Sequence, residues 1–335
     1  MSWLALDIGG ANLKAADGHG FAVSRPFALW KHPAGLADQL RSLIDAAPAS
    51  EQIAVTMTGE LADCYPSRQQ GVAAIATAVK TAAQGTDVFF YRTDGQLAPW
   101  AGDDEWPLLA ASNWHALARW ALRLCGGEAG LLIDVGSTTA DIIPLGPQGV
   151  AATGRDDYDR LRAGELVYTG VVRTPVCALL EAAELGGHQC PVAAELFATA
   201  ADAYLTLGLL PEDAEDCDTA DGRARTRAAA QARLGRMVCR EIDAIEAESL
   251  AHQIHLAQLQ KLEQAAQAVL QRTLHWPGTV ILAGQGEFLA EAILPRIDLA
   301  PGSAHVISLT RELGPDVARC APAHALAVLA AEKQP

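Results

Sequence analysis

The chain has 335 residues with 25 basic and 40 acidic side chains, and its formal net charge of −15 excludes a general binder of nucleic acid or of an anionic membrane, which would repel it at long range. Half of the residues are hydrophobic and 19% are charged, which excludes a disordered chain, and the length suits two domains with a crevice between them. The cysteines (Cys64, Cys125, Cys177, Cys190, Cys217, Cys239 and Cys320) form no Cys-x-x-Cys pair, the opening residues lack the features of a signal peptide, and no run of about 18 apolar residues occurs. A reduced, soluble, cytoplasmic protein without disulfide framework, zinc ribbon or membrane span is expected.

In chain order, the first predicted element is a hairpin. Leu4-Ala5-Leu6-Asp7-Ile8 is a short apolar strand that runs into Gly9-Gly10-Ala11-Asn12, and Leu13-Lys14-Ala15-Ala16 returns toward Gly18 and Gly20. The pattern then predicts a helix over 34–47, a strand over 52–58, a helix over 71–83, a strand over 87–92 and a longer helix over 106–124. A second hairpin follows: Leu131-Leu132-Ile133-Asp134-Val135-Gly136-Ser137-Thr138-Thr139-Ala140-Asp141-Ile142-Ile143, closing at Gly146 and Gly149. Beyond it lie a strand over 166–172, a helix over 192–207, a helical tract over 223–274 divided near 241–255, a strand and glycine turn over 279–286, and a closing helix over 323–332. The break at Cys125-Gly126-Gly127 separates residues 1–126, completed by a C-terminal helix at about 318–335, from residues 127–317, which carry a helical insertion.

The repeated Asp-x-Gly turn has a chemical sense. Glycine permits positive φ and close backbone approach, so successive N–H groups can form a nest for phosphate oxygens, while a strand-end carboxylate can hold a hydrated Mg²⁺. One such turn is common in any hairpin; two in register suggest paired loops gripping one ligand.

The two turns, with the late Ala283-Gly284-Gln285-Gly286, resemble the two phosphate motifs and the adenosine motif of the actin-like ATPase superfamily. That resemblance implies a two-domain α/β fold of the actin-like (ribonuclease H-like) type with an interdomain cleft. It departs in the first loop, where Ala11 stands in place of the usual Thr or Ser, so ATP as a ligand is left open. A narrower resemblance, to hydantoinase/oxoprolinase-like proteins of the tetrahydromethanopterin-linked one-carbon pathway, is carried by several segments. These are the first loop, Met57-Thr58-Gly59-Glu60-Leu61-Ala62-Asp63, Ser112-Asn113-Trp114, the second loop through Pro144, and Gly164-Glu165-Leu166-Val167-Tyr168-Thr169-Gly170-Val171-Val172-Arg173-Thr174-Pro175. Archaeal members of that group assemble methanofuran. The resemblance implies transfer of an aminomethylfuranyl-methyl group from its diphosphate to the phenol oxygen of a glutamyltyramine- or tyrosine-like acceptor, in a possible homodimer. An ATP-dependent small-molecule kinase and a non-catalytic nucleotide-binding or assembly protein are the alternatives.

Candidate residues follow from position. Asp7 and Asp134, at strand ends beside glycines, are expected metal ligands, with a turn-capping role as the alternative. Gly9, Gly10, Asn12, Gly136, Ser137, Thr138 and Thr139 are expected to donate to phosphate, and Lys14 to supply a cation. Glu60 and Asp63 follow a strand end, where α/β sites form, and either is expected to accept the phenol proton or hold a second metal, unless it only caps a helix. Arg68 and Arg173 suit phosphate or carboxylate. Asn113, Gly284 and Gly286 are expected at the organic substrate, unless Asn113 only satisfies a neighbouring backbone group and the glycine turn only packs; Asp218-Thr219-Ala220-Asp221-Gly222 is expected to start a helix, with carboxylates brought to the crevice as the alternative. No histidine spacing suggests zinc, no Gly-x-Ser-x-Gly elbow suggests a serine hydrolase, and Gly284-Gln285-Gly286 lacks the remaining dinucleotide-binding spacing.

Overall fold

A computed structural model describes residues 2–100, 102–299 and 304–332. The first half is built from β1 (Trp3–Ile8), β2 (Asn12–Ala16), β3 (Ala22–Pro26), α1 (Leu36–Asp45), β4 (Gln52–Met57), α2 (Arg68–Ala83), β5 (Asp87–Tyr91), β6 (Leu97–Ala98), α3 (Trp106–Leu109) and α4 (Asn113–Ala121). The second begins with β7 (Gly130–Val135), β8 (Ala140–Gly146), β9 (Gly149–Val150), α5 (Asp157–Ala163), β10 (Leu166–Val167), β11 (Ala182–Leu185) and β12 (His188–Pro191). It continues with α6 (Ala200–Thr206), α7 (Arg227–Met237), α8 (Ala244–Leu270), β13 (Thr279–Ala283), α9 (Glu287–Ile293), β14 (His305–Ser308), α10 (Leu309–Leu313), α11 (Pro315–Arg319) and α12 (Ala321–Glu332).

Two sheets of matching design result. The first runs β3-β2-β1-β4-β5-β6 and the second β10-β8-β7-β13-β14, each with an antiparallel hairpin at its centre and a parallel strand beside it. Strand alternation decides which face each residue meets. In β1, Leu4, Leu6 and Ile8 pack outward under α1 and α2, whereas Trp3 and Ala5 enter a core lying between the sheets. In β7, Leu131, Ile133 and Val135 face the outer helices and Leu132 faces the shared core. The inner faces therefore carry Asp7 and Asp134 past the end of that core. Helix α12, apolar on nearly every side, fills the space between the sheets with α4, as expected for a helix with no solvent face; residues 333–335 of the expected terminal helix lie outside the described residues.

Several expected elements are cut short for identifiable reasons. The 106–124 helix is interrupted: Ala111 takes a left-handed φ of 48°, and the Ser112 N–H donates to Met57 O at 3.1 Å, which ties this turn to β4. Asn113 thus opens α4 instead of lying within a helix. The 166–172 strand ends at Val167, and 192–207 is helical only from Ala200, whose preceding Thr199 bridges Pro175. The 223–274 tract divides at 238–243, at the leading edge of the expected stretch, and α8 then runs unbroken from an Asp243–Glu246 capping box. Asp218–Gly222 starts no helix, since α7 is capped by Thr226. All seven cysteines are free, and among the described residues no helix is long and apolar enough to cross a membrane.

Candidate active site

The two hairpin loops share one geometry. The Gly9 N–H donates to Asn12 O at 3.0 Å, and the Gly136 N–H donates to Thr139 O at 2.8 Å. None of Gly9, Gly10 and Gly136 adopts positive φ; a Cβ on Gly9 or Gly136 would press on the carbonyl oxygen that its own N–H meets, at 3.0 and 3.3 Å, whereas Gly10 has open space. Each loop is seated by a neighbouring segment. The Thr58 and Gly59 N–H groups donate to Ile8 O, and the Val171 N–H donates to Gly136 O while those of Val172 and Arg173 donate to Ser137 O. A Cβ on Gly170 would run into the backbone of Ser137 and Thr138, so only glycine lets this strap lie on the second loop.

Both loops open onto one cleft with two arms. The phosphate-loop arm, about 370 Å³, is lined by Asp7, Gly9, Gly10, Asn12, Lys14, Asp134 and Gly136 through Thr139, and runs on to Leu210, Pro211, Gly284, Gln285 and Arg319. The side arm, about 320 Å³, is walled by Trp30, Leu61, Ala62, Leu166 and Tyr168 and carries Asp63, Asp157 and Arg160. Gly10, Thr58, Asn113, Thr138, Asp141 and Arg173 line both arms, marking the junction.

Charge is organised around the strand ends. Lys14, opposite Asp7 in the hairpin register, lies 3.6 Å from its carboxylate. Burial works against the Lys14 charge, but attraction to Asp7 and Asp134 outweighs it and holds the ammonium above its ordinary range. Asp134 is pushed up to about 7, by burial first and then by repulsion from Asp141, its cross-strand partner. Asp141 is bonded to the buried Arg160, which also contacts Asp157 at 3.3 Å and stacks over Trp114 at 4.1 Å. The resemblance to actin-like ATPases implies a divalent cation. Asp7 Oδ1 is buried with no hydrogen-bond partner, and although no group of three ligating side chains occurs among the described residues, two carboxylates suit Mg²⁺, which takes its remaining ligands from water and phosphate.

Most of the expected residues meet in this cleft, but not all. Glu60 lines neither arm: it is buried against Arg68 at 2.7 Å, and burial raises its carboxyl despite that partner. Arg68, expected at phosphate, is instead held between Glu60 and Asp157 at 3.0 Å, bridging the two halves. Asp63 is exposed on the side arm, and the Arg173 guanidinium carbon lies over the Trp30 ring, 4.0 Å from its centroid. Asn113 reaches the junction, although its Oδ1 accepts from the Trp114 N–H at 2.7 Å. Gly284, at φ 87°, passes under the Asp134 carboxylate with no room for a Cβ; Gly286 packs on Val135 and Val171, away from the cleft. Asp218 pairs with Lys31 across the cleft at 3.3 Å. Sequence reasoning missed Trp30, Asp141, Asp157 and Arg160. Asp141 was findable, because it occupies in the second hairpin the place of Lys14 in the first.

Comparison with known proteins matches this picture. The Hydantoinase/oxoprolinase sequence profile matches residues 51–327. A (4-{4-[2-(gamma-L-glutamylamino)ethyl]phenoxymethyl}furan-2-yl)methanamine synthase from Methanocaldococcus jannaschii is 30% identical over 333 residues, covering 97% of this chain and 96% of that protein. A protein of the same name from Methanococcus vannielii is 27% identical over 202 residues, covering 59% of this chain and 89% of that one. Among solved structures, a chain of a PilM-PilN type IV pilus biogenesis complex superposes at a TM-score of 0.50, with 14% identity and 98% of each chain covered. The fold is thus the two-domain actin-like ATPase fold, its duplicated sheets facing one cleft. The chain belongs to the hydantoinase/oxoprolinase family and is an enzyme, as its synthase relatives are.

Proposed function

We propose that the enzyme is a synthase of methanofuran-type cofactor assembly, joining an aminomethylfuran-methyl group, delivered as its diphosphate, to a phenol oxygen. The observation that carries this reading is the joined cleft: two anion-binding loops with Lys14 between Asp7 and Asp134 open directly into an arm walled by Trp30, Leu61 and Tyr168. Loop N–H groups other than those of Gly9 and Gly136, which close the turns, bind the diphosphate together with the Lys14 ammonium and stabilise the charge it gains as the furfuryl C–O bond breaks. The side arm holds the phenol so that its oxygen reaches the furfuryl carbon at the junction. Asp141, which lines both arms, accepts the phenol proton as the new C–O bond forms; Glu60, tied to Arg68 off the cleft wall, is not placed for it. Asp7 and Asp134 would hold Mg²⁺, which would further neutralise the leaving diphosphate.

The test is direct. Purified protein with Mg²⁺, a synthetic aminomethylfuran-methyl diphosphate and candidate phenols is expected to release diphosphate and one equivalent of aryl ether, read by mass. Absence of ether with every phenol would end this reading. A second reading, ATP-dependent phosphoryl transfer, draws on the reach of the phosphate-loop arm past the loops to Pro211 and Gln285, where a nucleoside has room. Calorimetry with ATP-Mg²⁺ and with inorganic diphosphate separates the two, since tight ATP binding without diphosphate binding favours the kinase.

A further inference from the structure

Gln258 is a fully buried polar residue on α8, a helix whose Ile254, Leu259 and Leu262 belong to the apolar core of the second half. An amide is costly there unless its donors and its acceptor are bonded, and these are. The amide nitrogen donates to Thr169 Oγ1 at 2.8 Å and to Gly170 O at 2.9 Å, and the amide oxygen accepts from the hydroxyl of the buried Tyr204 on α6. Gly170 O can only accept, which fixes the way round that the amide lies. Both nitrogen bonds end on the strap that covers the second loop.

That strap needs outside support. The first loop is seated by Thr58 and Gly59, which directly follow the six-residue β4, whereas the strap follows the two-residue β10, and 168–174 contains no helix or strand. Side chains set its shape instead. Thr174 Oγ1 accepts from the Gly170 N–H at 2.8 Å and lies 3.2 Å from Thr169 Oγ1, closing the turn that Gln258 holds. From the same turn the Val171 N–H donates to Gly136 O, and those of Val172 and Arg173 donate to Ser137 O. A planar trans peptide points its C=O and the following N–H in opposite directions, so fixing these two carbonyls turns the Ser137 and Thr138 N–H groups away from the strap. Both residues line the phosphate-loop arm, and neither N–H donates within the chain among the described residues.

We propose that Gln258, backed by Tyr204, is a positioning residue for anion binding: acting through the strap, it aims the Ser137 and Thr138 N–H groups into the phosphate-loop arm. It touches no substrate itself. That a diphosphate is the anion rests on the synthase reading; the aim of the two N–H groups does not.

Three variants of the full chain test it. Gln258→Met keeps the length of the side chain and removes the amide, and Tyr204→Phe keeps the ring against Phe288 and removes only the hydroxyl. Leu250→Val, about two turns earlier on α8, trims the same core without touching the amide. Hydrogen–deuterium exchange is expected to quicken roughly tenfold at Val171, Val172 and Arg173 in Gln258→Met and to stay unchanged at Thr58 and Gly59, the seat of the first loop. Calorimetry with inorganic diphosphate and Mg²⁺ should show Kd raised roughly tenfold in Gln258→Met and about two- to threefold in Tyr204→Phe, at unchanged stoichiometry. A residue that only held the fold together would lower the stoichiometry and leave the Kd of the folded fraction alone, which is the behaviour expected of Leu250→Val. Faster exchange with an unmoved Kd overturns the proposal, as does exchange that rises equally at both seats, or no change in either reading. A parent protein that binds no diphosphate would remove the synthase reading, while the contrast in exchange between the two seats would still uphold the aiming of the second loop.

Discussion

The two hairpins, built alike, differ at one register position. Asp7 faces Lys14 across β1 and β2, and Asp134 faces Asp141 across β7 and β8. The first hairpin therefore closes its charge within itself. The second sets two carboxylates opposite each other, an unfavourable cross-strand pair, and needs Arg160 from α5 to answer it. One copy of the motif thus presents an ammonium to the cleft, and the other presents carboxylates whose protonation responds to their surroundings. Duplication kept the backbone and divided the chemistry.

The largest expected effect comes from removing the outside cation. Arg160→Met leaves Asp141 and Asp157 without the buried partner they share, and should cost about 3–5 kcal/mol of stability, read as a shift of the urea midpoint. Lys14→Met, the matching change in the first hairpin, should cost clearly less, because the Lys14 side chain is about 25% exposed and water still reaches it. Equal losses would mean that the hairpins do not differ in how they satisfy charge.

The loop seats give the next contrast. A methyl on Gly170 meets the backbone of the second loop at 2.5 Å, which cannot yield, whereas one on Gly59 meets the movable tip of Leu29 at 2.8 Å and the Gly9 backbone only at 3.2 Å. Gly170→Ala should cost about 2–3 kcal/mol, with diphosphate binding lost, and Gly59→Ala about half as much. Circular dichroism melts and diphosphate titrations of both variants would show the order, and a reversed order would mean that the strap over the second loop is not what shapes it.

How much of this was legible beforehand follows the same division. The paired turns, their aspartates and the strands behind them could be read because each lies within one local pattern of alternation and glycine. The short β10 and the interrupted 106–124 helix could not, because both are decided by distant partners: Gly136 and Ser137 take the strap's N–H groups, and Met57 takes that of Ser112. Arg68 shows the limit for side chains. Its residue type suits phosphate, but two carboxylates from opposite halves, Glu60 and Asp157, reach it first. Trp30 sits in a segment with no motif, and only the tertiary fold brings it under Arg173.

Lys14 can be tested as a ligand apart from its part in stability. Lys14→Met should weaken inorganic diphosphate roughly ten- to hundredfold by calorimetry at low salt, since a charge-assisted bond to phosphate is lost and Asp7 is left unanswered beside the anion. Unchanged affinity would move the anion away from the first hairpin.

A pH series probes the second hairpin's stored repulsion. Burial and Asp141 raise the Asp134 carboxyl from its ordinary 3.8 to about 7, so the folded state binds a proton that the unfolded chain releases near pH 4. The stabilisation is complete below the unfolded value and is lost as pH rises through 7. In chelator, Asp134→Asn should therefore remove that slope and be more stable than the parent by about 2 kcal/mol at pH 8, allowing for partial exposure, with the gap closing toward pH 5. Urea unfolding of both proteins at pH 5 and pH 8 measures it. The Asp7 carboxyl is raised as well, by burial ahead of the Lys14 ammonium that opposes it, so Asp7→Asn should show a gap of the same sign, offset by the loss of the Lys14 ion pair.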